Sequence, residues 1–238
     1  MQLPFFYSAS IDSSSAEVVL DEDTSRHIIQ VLRMKSGEQI KLTDGRGNIF
    51  TTVIAAEHKK NCRVRIEKTD RQPPPAKKVS IGISLLKNTS RFEWFLEKAT
   101  EIGATQIIPL LCDRTEKQKF RNDRMQGICI SAMLQSQQAW LPVLHEPIAF
   151  DLLFRQEEVN AVEQKFIAHC VEEERKSLHT IIDHSLSSQL ILIGPEGDFS
   201  PAEIEQALLH RFIPVTLGNT RLRSETAGVV AVTILSLA

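Results

Sequence analysis

LILIGPEGDFSPAE, residues 190–203, and FIPVTLGNTRLRSETAG, residues 212–228, decide the fold of this chain. Each stretch begins with a short apolar run that is typical of a buried strand and continues into a glycine-containing loop. Ser200 and Glu203, with Pro201 between them, match a capping box, so a helix should begin there. If the two strands are parallel neighbours, both loops lie at the carboxyl edge of one sheet, where α/β folds bind ligands.

The chain before these stretches continues the alternation of strands and helices. Three further apolar segments are predicted strands: 79–86, 106–110 and 165–170. Ser90 and Glu93 match a second capping box, and Gly103 suits the end of the helix that it starts. Another helix is predicted from about residue 123 to residue 139. This order predicts a mostly parallel sheet that is covered by helices on both faces.

The first seventy or so residues have a different pattern. Apolar and polar residues alternate in three segments that predict half-buried strands: 40–42, 49–53 and 62–66. A proline-rich stretch, Arg71–Pro75, is typical of a stiff linker. We therefore predict two domains, a small β-barrel at residues 1–72 and an α/β domain at residues 76–238.

The composition is that of an ordinary globular protein. Of the 238 residues 42% are apolar and 24% are charged, and the formal net charge is −2. Residues 1–78 hold 13 Lys+Arg against 10 Asp+Glu, whereas the remainder holds 15 against 20. The whole chain is therefore not a polycation, and binding to nucleic acid would need local basic patches.

Several classes of protein are disfavoured. The four cysteines form no Cys-x-x-Cys pair and the seven histidines no His-Glu-x-x-His motif, so we predict reduced thiols and no metal site. The N-terminus lacks the pattern of a secretory signal, and we expect a cytoplasmic protein without a membrane segment. The apolar run 228–237 is too short to cross a bilayer and predicts a buried helix, or one packed against a partner subunit.

The two glycine loops are suited to binding a small ligand through main-chain groups. Neither loop matches a Walker or a Gly-x-Gly-x-x-Gly motif, and residues 194–200 would also suit a plain strand-to-helix turn. Arg223 stands beside the N-terminus of the predicted last helix, where a cation is unfavourable unless an anion offsets it. Either it pairs with Glu225 or Glu196, or it faces a phosphate or a base oxygen of a substrate.

These stretches resemble the two signature motifs of the bacterial 16S ribosomal RNA uracil-N3 methyltransferases, which belong to the SPOUT superfamily. The matching segments are IGPEG at 193–197, LGNTRLRSETA at 217–227, HIIQVLRM at 27–34, DG at 44–45, KNTSRFEW at 87–94 and KATEIG at 98–103. The chain departs from the family pattern at Asp198, where a second glycine is expected. Aspartate tolerates left-handed backbone better than most residues, so the turn can be kept.

The resemblance implies a PUA-like RNA-binding domain at residues 1–72 and a SPOUT-type methyltransferase domain with a deep trefoil knot at residues 76–238. It further implies a homodimer that uses the last helix, and methylation of uridine N3 in 16S RNA of the small ribosomal subunit. S-adenosylmethionine would be held by the two loops. The expected cofactor-binding residues are Ile193, Gly194, Glu196, Gly197, Leu217, Gly218, Leu222 and Thr226.

Methyl transfer from a sulfonium is an in-line displacement that needs no metal. Uracil N3 carries a proton, so the enzyme must stabilise the negative charge that develops on the uracil oxygens. We predict this catalytic role for Arg223, and no residue stands out as the proton acceptor. The expected RNA-binding residues are basic and are otherwise interpreted as solvated charges: Arg26, Arg33, Lys35, Lys59, Lys60, Lys87 and Arg91.

Three other functions stay open. The first is a SPOUT-type methyltransferase that acts on transfer RNA or on another nucleotide atom. The second is a non-catalytic RNA-binding or assembly protein with the same fold. The third is a nucleotide-phosphate enzyme at the glycine-rich edge, which the missing phosphate-loop lysine disfavours.

Overall fold

The computed structural model of the chain describes residues 3–11, 16–116, 119–170 and 176–237. The chain groups into two compact units. The first consists of Met1–Pro74 and Met133–Leu141, and the second of Pro75–Ala132 and Pro142–Ala238. The domain boundaries predicted from the sequence do not include the segment Met133–Leu141 in the first unit.

The described residues of the first unit form a five-stranded mixed sheet with one short helix. Its elements are β1 Phe5–Tyr7, β2 Glu17–Val19, α1 Glu22–Arg26 with a following π-helical turn His27–Val31, β3 Gln39–Thr43, β4 Asn48–Ala56 and β5 Arg63–Arg71. The strand order is β1-β3-β4-β5-β2, with β1 parallel to β3 and the other described pairs antiparallel. The predicted alternation is confirmed at Ile40, Leu42, Cys62 and Val64, which are buried in one core. In β4 the predicted face is wrong, because Phe50, Thr52 and Ile54 are buried whereas Ile49, Thr51 and Val53 are only partly buried.

Trp140 packs the segment Met133–Leu141 into the first unit. Its indole Nε1 donates a hydrogen bond to the carbonyl of Pro73 at 3.0 Å, and the Arg71 guanidinium lies 5.8 Å from the ring centroid. Gly47 is required beneath the ring, because a Cβ there would lie 2.4 Å from a ring carbon and the backbone φ is +92°. No periodic pattern in the sequence marks this contact.

The second unit is built on a parallel sheet. Its strands are β6 Lys78–Ser84, β7 Gln106–Leu111, β8 Val143–Leu144, β9 Ile148–Ala149, β10 Gln164–Ala168, β11 Lys176–Ser177, β12 Ser188–Ile193 and β13 Ile213–Thr216. Its helices are α2 Thr89–Ile102, α3 Asn122–Gln135, α4 Phe150–Leu153, α5 Glu157–Asn160, α6 Leu178–Ile181, α7 Pro201–Leu209 and α8 Ser224–Leu237. The strand order is β11-β13-β10-β12-β6-β7-β8, with β9 beside β7.

The strand order corrects one expectation from the sequence. The sequence analysis placed both loops at one edge on the condition that β12 and β13 are neighbours, but β10 lies between them and pairs with both in parallel. The loops after β12 and β13 still lie at the same carboxyl edge, because all three strands run in one direction. The end of β10 therefore stands between the two loops that the sequence singled out.

Helix ends agree with the sequence at some positions and not at others. The capping box of α7 is confirmed, with the Ser200 N–H donating to the Glu203 carboxylate at 2.8 Å. The predicted box at Ser90 is wrong, because Asn88 caps α2 and accepts a hydrogen bond from the Ser90 N–H at 2.9 Å. Gly103 ends α2 with φ 104°, as predicted.

Helix α3 ends before the predicted residue 139. Gln137 adopts left-handed backbone with φ 59°, which a helix cannot contain. The Ala139 N–H then donates to the side-chain oxygen of Gln72 at 2.7 Å rather than to a helical carbonyl. Contacts within the first unit therefore replace the last turn that the residue pattern allowed.

The last helix packs closely on α2 and on β6. Its buried residues include Gly228, Ala231, Val232 and Leu235. A Cβ at Gly228 would lie 2.6 Å from Cε2 of Phe95, a fully buried ring. The absence of a side chain at this position thus permits the close approach of α8 to α2.

We expect Gly228→Ala to lower the free energy of unfolding by about 1 to 3 kcal/mol, because the added methyl overlaps the Phe95 ring. Gly127→Ala in α3 is the matched control, since apart from its chain neighbours and its own helix backbone no atom of the described residues lies within 4 Å of its Cβ position. There the better helix propensity of alanine should stabilise by roughly 0.5 to 1 kcal/mol. Chemical unfolding of both variants measures the difference, and two changes of the same sign would contradict this account.

Candidate functional site

A cleft opens at the carboxyl edge of the parallel sheet, where β10, β12 and β13 end. Two adjoining cavities of about 350 Å³ each form it. They share six lining residues: Ala168, Cys170, Ile193, Arg221, Leu222 and Ala227. The shared residues come from all three strand ends, so both loops from the sequence analysis contribute to one site together with β10.

Most of the residues predicted to bind a cofactor line this cleft. Those that do are Ile193, Gly194, Glu196, Leu217, Gly218 and Leu222. Gly197 and Thr226 lie outside the lining. The Gly197 carbonyl instead accepts a hydrogen bond from the Arg114 guanidinium at 2.7 Å, which holds the loop from behind.

Asp198 joins the loops that follow β10 and β12. Its carboxylate accepts from the Cys170 N–H at 2.8 Å and from the Phe199 N–H at 2.9 Å. Its own N–H donates to the Pro195 carbonyl at 3.0 Å and its backbone φ is 65°. The expectation that aspartate keeps the left-handed turn is confirmed. The carboxylate adds a hydrogen bond between loops that a glycine would not provide.

Two glycines have conformational roles in the loops. A Cβ at Gly194 would lie 3.1 Å from the Phe199 nitrogen and 3.1 Å from its ring, so any other residue there would push against the Phe199 backbone and ring. Gly218 has φ 153°, and its carbonyl accepts from the Thr216 hydroxyl at 2.8 Å. Both loops are therefore held by local contacts while parts of their backbone face the cleft.

Arg223 lines the cleft immediately before α8, and its side chain is exposed. Its carbonyl accepts from the Ala227 N–H at 2.7 Å, which starts the helix. The two ion-pair partners considered from the sequence are engaged elsewhere. Glu225 lies 3.6 Å from Arg91, and Glu196 accepts from the Lys87 N–H at 3.1 Å. Within the described parts of the chain the Arg223 guanidinium makes no ion pair, so the surface ion-pair interpretation is wrong.

Glu225, two residues after Arg223, is buried. Only 6% of its surface is exposed, and among the described residues its Oε2 has no hydrogen-bond partner. Its Oε1 lies 3.6 Å from the Arg91 guanidinium of α2. The ion pair connects the first turn of α8 with the first turn of α2, and this sets the position of the backbone that carries Arg223.

The third wall of the cleft was not predicted from the sequence. Ala168, His169 and Cys170, at the end of β10, all line it. The segment was predicted to be a strand, but it carries no glycine loop and was not assigned to the site. The usable signal was that its carboxyl end must lie at the same edge as those of the other parallel strands.

The residues predicted to bind RNA lie at the surface in both units. Five of them form ion pairs at distances of 2.7 to 3.8 Å: Arg26 with Glu22, Lys35 with Glu57, Lys60 with Glu22, Lys87 with Glu116 and Arg91 with Glu225. Arg91 is half-buried against Glu225, whereas Arg33 and Lys59 have no ion pair within the described residues. Exposed ion pairs are weak, so pairing does not prevent contact with phosphates. RNA binding by these residues stays a prediction.

No cluster of three or more His, Cys, Asp or Glu side chains suited to a metal ion occurs in the described ranges. None of the helices there combines the length and the apolar character needed to span a bilayer.

Comparison with known proteins agrees with the site and the fold. A family model for the RNA methyltransferase domain matches residues 72–236, and one for the RNA methyltransferase PUA domain matches residues 20–67. Ribosomal RNA small subunit methyltransferase E of Synechocystis is 32% identical over 222 residues, which cover 91% of this chain and 71% of that protein. The chain belongs to this RNA methyltransferase family.

Solved structures of the family share the fold over its whole length. A probable rRNA-methyltransferase of Porphyromonas gingivalis is 36% identical with a TM-score of 0.89, and the match covers 99% of this chain and 98% of that one. Ribosomal RNA small subunit methyltransferase E of Neisseria gonorrhoeae, solved with S-adenosyl methionine bound, is 27% identical with a TM-score of 0.87, covering 99% and 98%. The resemblance and the predicted fold class are confirmed, and the trefoil knot stays a prediction.

Proposed function

We propose that this chain transfers the methyl group of S-adenosylmethionine to N3 of a uridine in 16S ribosomal RNA. The observation that supports this proposal most strongly is the cleft at the ends of three parallel strands, which the two motif loops help to form. The chain that contains it belongs to an RNA methyltransferase family. The cofactor bound in the relative from Neisseria gonorrhoeae supports the same ligand here. A ribosomal substrate in turn implies a cytoplasmic location.

The cleft has the size and the chemistry for this cofactor. Each of its two cavities, at about 350 Å³, falls within the usual range for small-molecule sites. The apolar side chains of Ile193, Leu217 and Leu222 would hold an adenine ring, and the main chain at Gly194 and Gly218 offers polar groups for its edges and for the ribose. No cationic phosphate loop is needed, because the cofactor carries no phosphate.

S-adenosylmethionine supplies an electrophilic methyl group on a sulfonium sulfur when it is bound. The uracil N3 proton must leave, and the resulting negative charge spreads over the two flanking carbonyl oxygens. The Arg223 guanidinium at the cleft, which has no ion-pair partner among the described residues, would donate two hydrogen bonds to such an oxygen. The ion pair between Glu225 and Arg91 would hold the start of α8, so that the backbone carrying Arg223 need not be reorganised during the reaction.

The proposed reaction is tested with purified protein, labelled S-adenosylmethionine and three substrates: naked 16S RNA, small subunits and whole ribosomes. Mass spectrometry of digested RNA should place the label on uridine N3. Label on transfer RNA or on another atom would instead indicate a different methyltransferase of this fold. Absence of cofactor binding in calorimetry would indicate a non-catalytic RNA-binding protein.

We further propose that the chain is a homodimer. Helix α8 keeps apolar side chains that the described residues do not bury fully, among them Val230, Ile234 and Leu237, the last 82% exposed. A second copy packed on this face would remove them from water. Light scattering coupled to size exclusion should give twice the chain mass, and a monomer at micromolar concentration would contradict the proposal.

The reactivity of the Cys170 thiol can be used to measure whether the cofactor occupies the cleft. Burial raises the pKa of the Cys129 thiol to about 11 and also raises the pKa of Cys62 and of Cys112, so these three stay protonated at neutral pH. Cys170 is exposed and lines the cleft. We expect a maleimide to modify Cys170 first, and saturating S-adenosylmethionine to slow that modification by roughly tenfold or more. Peptide mass spectrometry measures it; equal rates with and without the cofactor would contradict the cofactor site.

A further inference from the structure

We infer that a second pocket of the methyltransferase unit, at the beginnings of α2 and α3, binds a phosphodiester of the RNA substrate. The inference rests on the proposed function, because it assumes RNA as the substrate. Six residues line this pocket, which has a volume of about 220 Å³: Thr89, Glu93, Lys119, Arg121, Arg124 and Met125. We call it the basic pocket.

The basic pocket carries excess positive charge. It contains three cations, Lys119, Arg121 and Arg124, and a single carboxylate, Glu93. The hydrogen bond from Arg124 and the nearby charge of Arg121 lower the pKa of Glu93, which is therefore ionised. Glu93 offsets one of the three cations, and within the described residues neither Lys119 nor Arg121 has an ion-pair partner. The remaining two positive charges favour the binding of an anion in the basic pocket.

One cation of the basic pocket, Arg124, is held in place before any ligand binds. Glu93 accepts from Nη2 of Arg124 at 2.8 Å and also from Nε, which orients the guanidinium and leaves its Nη1 donors available. Phe120 stands between the other two cations, and its ring packs edge-on against the buried Phe92 at 6.2 Å. A solvated surface lysine loses more conformational entropy on binding an anion than the Arg124 guanidinium does, because Glu93 already orients it.

Helix α2 carries one residue that pairs at the cleft and one that pairs in the basic pocket. Arg91 pairs with Glu225, two residues after Arg223, and Glu93 pairs with Arg124 of the basic pocket. The two pairs stand two residues apart on one helix. We place a phosphate of the strand that carries the target uridine in the basic pocket, since both sites are paired with the first five residues of α2. Arginine and lysine contacts to phosphates carry no base information, so the pocket would position the strand rather than select its sequence.

The test is a double charge reversal, Lys119→Glu with Arg121→Glu. The matched control is Arg155→Glu, an exposed arginine of the same unit that lines none of the cavities described above. Binding to 16S RNA is titrated over a series of salt concentrations. We expect the double variant to bind roughly tenfold or more weakly, and the slope of log affinity against log salt to fall by about 0.7 to 1, as for one lost phosphate contact. The control should match the wild type.

Calorimetry with S-adenosylmethionine and thermal unfolding separate this inference from the proposed function. Unchanged cofactor affinity and Tm together with weaker RNA binding would support the basic pocket. RNA affinity and salt slope equal to those of the control would overturn it while leaving the methyltransferase activity of the wild type intact. If the charge reversal impairs folding, the double variant Lys119→Gln with Arg121→Gln is tested instead. Wild-type RNA affinity in that variant would also overturn the inference.

Discussion

Arg223→Ala is expected to lower turnover on 16S RNA by about 100- to 1000-fold, the usual effect of removing one donor to a developing oxyanion. The guanidinium lines the cleft and makes no ion pair in the described part of the chain. Its removal therefore deprives no carboxylate of the described residues of its partner. Affinity for S-adenosylmethionine and the unfolding temperature should stay near wild-type values. Single-turnover methylation and calorimetry measure the two effects separately.

Two companion variants sharpen this prediction. Arg223→Lys keeps the charge but loses the planar fork, so its rate should fall between those of the wild type and of alanine. Arg155→Ala removes an exposed arginine of the same unit and should not change the rate. Turnover by Arg223→Ala within twofold of the wild type, with normal cofactor binding, would remove Arg223 from the mechanism.

Asp198→Ala is expected to weaken S-adenosylmethionine binding by roughly 10- to 100-fold. The change removes the acceptor of the Cys170 N–H, which is one charge-assisted hydrogen bond between two walls of the cleft. It also places alanine at φ 65°, which adds backbone strain. Calorimetry measures the affinity, and chemical unfolding measures the accompanying loss of stability.

Asparagine and glycine at residue 198 separate the hydrogen bond from the strain. Asp198→Asn keeps an oxygen acceptor and tolerates the left-handed backbone, so it should bind the cofactor within a few-fold of the wild type. Asp198→Gly relieves the strain without restoring the acceptor, so it should be stable and still bind weakly. A glycine variant with wild-type affinity would show that the carboxylate does not organise the cleft.

Part of the cleft lining could be predicted from the sequence alone, because the two motifs that supply it are local. Gly194, Glu196, Gly218 and Leu222 lie in loops that directly follow apolar runs, and such loops must emerge at a strand end. The missing wall, Ala168 to Cys170, follows a strand with no comparable loop. Its contribution depends on β10 lying between β12 and β13, and strand order is a property of pairing between distant segments.

Ionic interactions were the least predictable from sequence. Arg223 stands two residues from Glu225, which suggested a local pair, yet Glu225 turns inward to Arg91 of another helix. Glu93 matched a capping box and instead pairs with Arg124, so the basic pocket had no sequence signal. Charged side chains are long, and their partners are chosen by which helices pack together.

The sequence by itself determined the two kinds of domain, most strands of the parallel sheet, the glycine turns and the family of this chain. These features depend on periodicity and on backbone preferences that act within a few residues. Only the tertiary structure decided that β10 separates the two motif loops, that Asp198 ties its loop to Cys170, and that Arg223 is left without a carboxylate partner among the described residues. Those outcomes arise from contacts between segments far apart in the chain, whose geometry exists only when the sheet and its helices are packed.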